Sequence, residues 1–324
     1  MPTPRNKQIC LKATPYYHCI SRCVRRAYLC GQDIASDRSY EHRRGWIEKR
    51  LLFLAKVFCI DVCAYAVMSN HCHVVLHVDE DKSAKLSDLE VVERWHKLCK
   101  GTLITQSYVK NEPVAEYARD SLEKTIATYR KRLSDISWFM RLLNEPIARM
   151  ANAEDECTGR FWEGRFISQA LLDESALIAC MAYVDLNPVR AGISDKPSNS
   201  EYTSIKRRVK AALNRSSIKP LLPFKGQLGS NSETYLPLRM DDYIDLLEIS
   251  ASAIVNENHQ VISYKPPNAL KSLNLTPLNW FLLSTKFNTY FKGAVGTIDS
   301  LTKHSEIQKR MRRLNIGISK RLLG

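Results

Sequence analysis

The sequence predicts an α+β fold, a ferredoxin-like split βαβ antiparallel sheet with helices on one face, continued by a helical, basic C-terminal extension. Three observations carry this. Over residues 1–197, stretches that alternate with period two and stretches with helical periodicity follow as strand, helix, strand, strand, helix, strand, helix. The composition, 44% hydrophobic and 25% charged with 12 Gly, suits a packed protein rather than a disordered or fibrous one. Past Pro197 the texture shifts to Ser-, Pro- and Gly-rich connectors between basic helical stretches. The expected domains are 1–197, with a helical insertion at about 95–135, and 198–324.

Pro15 to Val24 alternates its side chains and opens on a proline and two tyrosines, which fits a strand start. From Ser39 to Ile60, Trp46, Ile47, Leu51, Leu54, Ala55 and Phe58 recur at helical spacing while Arg43, Arg44, Lys49 and Arg50 fill the polar face. Asp61–Met68 and His73–Val78 are β-rich runs flanking the turn-prone pair Ser69-Asn70 and read as a hairpin. Leu86–Lys100 predicts a helix and Gly101–Asp135 a mixed, charged insertion. Ile136–Ala151 predicts an amphipathic helix that Pro146 should kink or break. Arg160–Leu172 alternates again, and Asp173 is placed to cap an apolar helix through Leu186. Lys206–Leu213 predicts a short basic helix, Lys219–Ser232 a loop, and the remainder a helical appendage ending in a basic helix over Lys303–Leu323.

Lys and Arg number 48 against 34 Asp and Glu, a balance of +14. The surplus lies at the ends: +7 over residues 1–50 (11 basic, 4 acidic), −3 over 51–200 (18 and 21), and +10 over 201–324 (19 and 9). Such a distribution favours a polyanionic partner, because each cation laid on a phosphate releases condensed counterions; a solvated basic surface is the alternative. No apolar run approaches the roughly 20 residues of a membrane span, and the first residues lack the apolar stretch of a signal peptide, so no membrane partner and a cytoplasmic location are expected. All ten cysteines lie between Cys10 and Cys180 without a CxxC pair, which disfavours zinc-ribbon chemistry and favours buried free thiols.

Two groups of residues could do chemistry. In His71-Cys72-His73, a period of two puts both imidazoles on one strand face and Cys72 on the other, so the pair can share one metal ion or be two ordinary histidines. His77 lies on the same face about four rises, roughly 13 Å, further on and reads as structural. Tyr183 and Asn187, four residues apart along one edge of the last helix, can aim a phenol and an amide oxygen at one small space, or form a half-buried pair that satisfies its own hydroxyl. Pro188 places the amide at the helix C-terminus.

Four blocks in order resemble a known family. Tyr17-His18-Cys19-Ile20-Ser21-Arg22, Met68-Ser69-Asn70-His71-Cys72-His73-Val74-Val75, Arg160-Phe161-Trp162-Glu163-Gly164-Arg165-Phe166 and Tyr183-Val184-Asp185-Leu186-Asn187-Pro188-Val189-Arg190-Ala191-Gly192 are similar to the successive signatures of single-tyrosine HUH transposases, most of all the REP-associated tyrosine transposase branch. The resemblance spans residues 15 to 195. It implies an HUH-endonuclease fold and metal-assisted transesterification of single-stranded DNA, at hairpin-forming repeats. By match, His71, His73 and Asn187 hold a divalent ion, Mg²⁺ or Mn²⁺, and Tyr183 is the nucleophile that forms a 5′-phosphotyrosine link. Tyrosine ionises near pH 10, so neutral-pH attack needs such a cation, and covalent storage of the phosphodiester makes a nucleotide cofactor unnecessary. The middle HUH residue, bulky and hydrophobic in the family, is Cys72 here. Homodimers are common in the family, and a bacterial, nucleoid-associated setting is implied.

Arg22, Arg25 and Arg26 after the first strand, and Trp162 with Arg165, are the candidate DNA contacts, because aromatic and guanidinium planes stack on unpaired bases; Trp162 as a core residue is the alternative. Lys309, Arg310, Arg312 and Arg313 could track phosphates or form a solvated tail. Three other functions compete: a catalytically silent DNA-hairpin binder, a metal-dependent hydrolase using water, and an RNA-binding module.

Overall fold

The computed structural model describes residues 4–5, 8–24, 29–33, 37–227, 234–258, 260–264, 267–310 and 313–324. The chain runs through β1 (Tyr16–Arg22), a two-stranded ribbon of β2 (Gln32–Asp33) and β3 (Arg38–Ser39), helix α1 (His42–Val57), and the hairpin of β4 (Ile60–Val67) and β5 (His71–Val78). Five helices follow: α2 (Glu80–Lys85), α3 (Asp88–His96), α4 (Leu103–Val109), α5 (Glu116–Leu133) and α6 (Ile136–Glu154). Then come β6 (Ile167–Leu171), α7 (Glu174–Asp185), the single turn α8 (Asn187–Arg190) and α9 (Ser204–Leu213). The C-terminal segment adds α10 (Met240–Val255), α11 (Gln260–Tyr264), α12 (Asn268–Ser272), α13 (Pro277–Tyr290), β7 (Ala294–Val295), α14 (Ile298–Ile307) and α15 (Ile316–Leu322). Side-chain caps start many of the helices, as with Asp79 on α2, Ser87 on α3, Asp135 on α6 and Asp173 on α7, each accepting from a backbone N–H of the first turn.

The fold is α+β. Five strands form one mixed sheet in the order β4-β5-β1-β6-β7. β1 runs antiparallel to β5 on one side and to β6 on the other, while β6 and β7 are parallel. The expected sheet was purely antiparallel; β7 makes it mixed, and at two residues it is too short to show an alternating pattern.

The chain divides into two compact units. The first comprises 1–45, 62–77 and 160–324, so the segment after residue 197 clusters with the sheet. Its core runs from Cys63, Ala66 and Val75 through Leu177, Cys180 and Val184 of α7 to Tyr243 and Leu246 of α10 and Trp280, Leu283 and Phe287 of α13. Ala176 to Ala182 of α7 are all buried, so this helix is covered on every face.

Within the same unit, Arg43 and Arg44 depart from expectation. Both are buried rather than on a polar face. The Arg43 guanidinium lies over the Tyr40 ring, 4.1 Å from its centroid, and Arg44 donates to the Val67 carbonyl and to Ser69 Oγ (3.2 Å) while pairing with Glu41. Arg44 thereby anchors the turn that leads into His71.

The second unit comprises 46–61 and 78–159. Val91, Val92 and Trp95 of α3 meet Leu122, Ile126, Tyr129 and Leu133 of α5, with the Trp95 and Tyr129 rings stacked at 4.9 Å. Helix α6 continues through Pro146 instead of breaking there. Proline cannot donate to Leu142, four residues back, and Arg50 Nε donates to that freed carbonyl at 3.0 Å.

The terminal basic stretch is likewise not one helix. It divides into α14 and α15, with Lys309 and Asn315 at positive φ between them. Arg310 and Arg313 fall in that break, and Arg312 lies outside the described residues.

Candidate functional site

The site starts on the sheet. The register pairs Arg22 with His71, Ile20 with His73 and His18 with Val75, so His18, His71 and His73 share one face while Cys72 is buried on the other. The His71 and His73 rings meet edge to face with centroids 4.7 Å apart, and His18 stacks on His73 at 5.0 Å. Across β1, His18 is paired with Gln169 of β6.

These groups form a chain of hydrogen bonds whose direction is determined by its far end. Gln169 Nε2 donates to the Phe291 carbonyl at 2.7 Å. Gln169 Oε1 therefore faces His18 Nδ1, 2.7 Å away, and must accept from it. His18 Nε2 is then a lone pair, and accepts from His73 Nδ1 at 2.8 Å. His73 Nε2 is the remaining nitrogen; it is buried and has no hydrogen-bond partner. His71 Nδ1 bonds to Asn70 Oδ1, which leaves its own Nε2 as the second lone pair.

Burial keeps these rings neutral. It pushes His18 down to about 4; it does the same to His71, helped by the cations Arg22 and Arg190, again to about 4; and it holds His73 well below the ordinary range. Neutral imidazoles are the form that coordinates a cation.

Helix α7 brings Tyr183 to this cluster. Its ring lies perpendicular to His73 with centroids 5.7 Å apart, and edge-on to His18 at 6.5 Å. The Arg190 guanidinium covers the Tyr183 ring at 3.9 Å and donates to the Tyr183 carbonyl (2.6 Å) and to the Ser284 carbonyl (3.1 Å). Burial lowers Arg190 to about 10, so it remains a cation at neutral pH. Asn288 Nδ2 of α13 donates to Tyr183 Oη at 3.3 Å. Asn187 is buried and its Nδ2 is unpartnered, but it does not end α7 as expected: the helix stops at Asp185, and Asn187 opens the short turn α8, where Pro188 is tolerated because its missing N–H would be unpaired anyway.

His18, Gln169, Arg190 and Asn288 were not identified as site residues from the sequence. His18 and Arg190 lie within the segments that carry the family resemblance, whereas Gln169 and Asn288 carry no local signal, since their roles depend on partners 122 and 105 residues away. His77 packs against Tyr16, with centroids at 4.9 Å.

Of the expected DNA contacts, Arg22, Trp162 and Arg165 lie among the described residues, and the Arg22 carbonyl accepts from Glu163 N at 2.9 Å beside Trp162. Arg22 is exposed beside His71, whereas Arg25 and Arg26 lie outside the described residues. Trp162 is half-buried, bridges to Cys23 through the backbone and meets Phe161 edge to face at 5.0 Å. It lines, with Arg160, Arg165, Lys292, His304 and Arg310, a cavity of about 1200 Å³. Among the described residues, no group of three or more His, Cys, Asp or Glu side chains is arranged to hold a metal ion, and no helix is long and apolar enough to cross a membrane. The two neutral imidazoles on the sheet are softer donors than Mg²⁺ usually takes, and Mn²⁺ accepts imidazole nitrogen more readily than Mg²⁺ does.

No protein-family model and no curated protein matches the chain. Among solved structures, it is similar to a REP-associated tyrosine transposase bound to a REP hairpin, at 12% identity and a TM-score of 0.39, with 74% of this chain and 99% of that chain covered.

Proposed function

We propose that the protein is a transposase-type endonuclease that cleaves and rejoins single-stranded DNA through Tyr183, acting at hairpin-forming repeats. The observation that carries the reading is the convergence of a phenol from α7 with a pair of neutral imidazoles from β5, one of which keeps an unpartnered buried nitrogen. Two further features support it: the four long strands stand in the order second, third, first, fourth, as in a split βαβ sheet, and the first unit carries a basic, tryptophan-lined cavity.

His71, His73 and Asn187 would hold a divalent cation. Such a cation would polarise a phosphate and offset charge on the leaving oxygen. The residues of the chain do the rest. Arg190 over the ring and Asn288 on the hydroxyl hold Tyr183 in place. Tyr183 Oη attacks phosphorus and gives up its proton to solvent; the P–O3′ bond breaks; the 3′-oxygen takes up a proton and leaves as a hydroxyl; and the phosphate stays on the tyrosine as a 5′-phosphotyrosine ester. The reverse step rejoins the strand. Arg165 and Trp162 offer a guanidinium and an indole plane for unpaired bases in the cavity, and Arg22 a cation beside the imidazoles.

The test is incubation of the full chain with a labelled hairpin oligonucleotide bearing single-stranded flanks and Mn²⁺. A covalent protein–DNA adduct is expected, abolished in Tyr183→Phe and lost on adding EDTA. Tight binding without an adduct in the wild type would instead identify a silent hairpin binder. Cleavage retained in Tyr183→Phe, with protein-free products, would identify a hydrolase.

A further inference from the structure

We propose that His18 and Gln169 are positioning residues through which the C-terminal segment selects the tautomer of His73. The relay runs from the Phe291 carbonyl, at the end of α13, through the Gln169 amide and the His18 ring to His73 Nδ1. Each link constrains the next. A flipped Gln169 would set its oxygen against the Phe291 oxygen, which can only accept, so the amide has one stable orientation. With Oε1 toward β1, His18 carries its proton on Nδ1 and offers Nε2 as an acceptor, and His73 places its proton on Nδ1 to meet it. The nitrogen left bare is His73 Nε2, buried and without any partner.

A bare lone pair in a buried position has a cost unless something occupies it. The relay holds that lone pair in place, because reversing it would break a buried hydrogen bond of Gln169, to His18 if the amide stays or to the Phe291 carbonyl if it flips, and set two lone pairs against each other. The Phe291 end is itself tied to the sheet: Ala170 N donates to the Gly293 carbonyl at 2.8 Å, and β7 continues the pairing beside β6. The segment after residue 197 thus supplies the terminal acceptor of a site whose imidazoles lie more than 200 residues earlier in the chain. The inference rests on the reading above only in assigning the bare nitrogen to a cation; the tautomer itself follows from the hydrogen bonds.

Long-range ¹H–¹⁵N correlation spectra of the full chain, labelled with ¹⁵N-histidine, in EDTA at pH 7.5, read the tautomers directly. His18 and His73 are expected each as a single Nδ1–H form. Gln169→Leu removes the acceptor and should convert His73 to a tautomer mixture, and His18→Phe should do the same while keeping a ring in the core. Titrating Mn²⁺ in place of EDTA should broaden the His73 signals of the wild type, with about tenfold to a hundredfold more Mn²⁺ needed in Gln169→Leu. A wild-type His73 protonated on Nε2, or an unchanged single tautomer in both variants, overturns the relay. The stated tautomers with no Mn²⁺ response in the wild type would support the relay and count against the cation of the proposed function.

Discussion

Asp185 shows how a residue inside a functional-looking block can serve the fold. It lies two positions after Tyr183, fully buried, and its carboxylate accepts from Ser204 Oγ at 2.5 Å, Ile205 N at 3.0 Å and Tyr243 Oη at 2.8 Å. It ties the end of α7 to α9 and α10. Burial outweighs those bonds and the nearby Arg208 cation and pushes the carboxyl up to about 6, from an ordinary value of 3.8. A carboxyl raised on folding binds its proton more tightly in the native state, so its contribution is fully present below about pH 4 and is lost as pH rises through about 6. Asn at this position does not titrate. Asp185→Asn should therefore gain on the wild type by about 2–3 kcal/mol between pH 4 and pH 7, measured as the change in urea-unfolding free energy at the two pH values. A constant difference across that range would contradict a raised carboxyl.

At the scale of elements, the second unit depends on one tight connection. α3 ends at His96 and α4 begins at Leu103, with Gly101 between them at φ +75°. A Cβ at Gly101 would run into the His96 ring, which bonds to Thr105 Oγ1 at 3.0 Å, and would also crowd Thr105. Thr102 and Thr105 form the capping box of α4, so the collision reaches the helix start as well. Gly101→Ala should cost about 2 kcal/mol, from a left-handed backbone plus the clash, whereas Gly45→Ala in α1, where a Cβ meets nothing within 4 Å, should cost nothing and add helix propensity. Thermal unfolding of the two variants side by side checks the contrast.

At the scale of the whole molecule, the decisive feature is a helix that is apolar all round. α7 buries Ala176 through Ala182 without a break, which no single sheet face can cover; α10 and α13 supply the rest. A chain ending at residue 197 would expose that surface and lose β7, the Phe291 acceptor and the Asn288 contact to Tyr183. It is expected to be insoluble or to bind a hydrophobic dye strongly, with loss of near-ultraviolet circular dichroism, while the full chain does neither. A soluble, cooperatively unfolding 1–197 fragment would show that the first 197 residues fold alone.

Sequence periodicity alone determined the order and kind of the four long strands and of α1, α3, α6 and α7, because alternation and 3.6-residue spacing are local and each strand or helix must turn one face inward, whereas α5, α10 and α13 were not resolved by it. It also placed His71 and His73 on one face, since side-chain alternation needs no tertiary information. Tyr183 was legible as a helix-edge residue, but its meeting with His73 was not; that depends on how α7 lies on the sheet. Only the tertiary structure decided that Pro146 is tolerated, because its freed carbonyl finds Arg50 from a distant helix, that Arg43 and Arg44 turn inward, and that the C-terminal segment completes the sheet. Hydrogen-bond acceptors such as the Phe291 carbonyl belong to the backbone and leave no mark on side-chain pattern. The fold alone could bring that oxygen to Gln169, across 122 residues of chain.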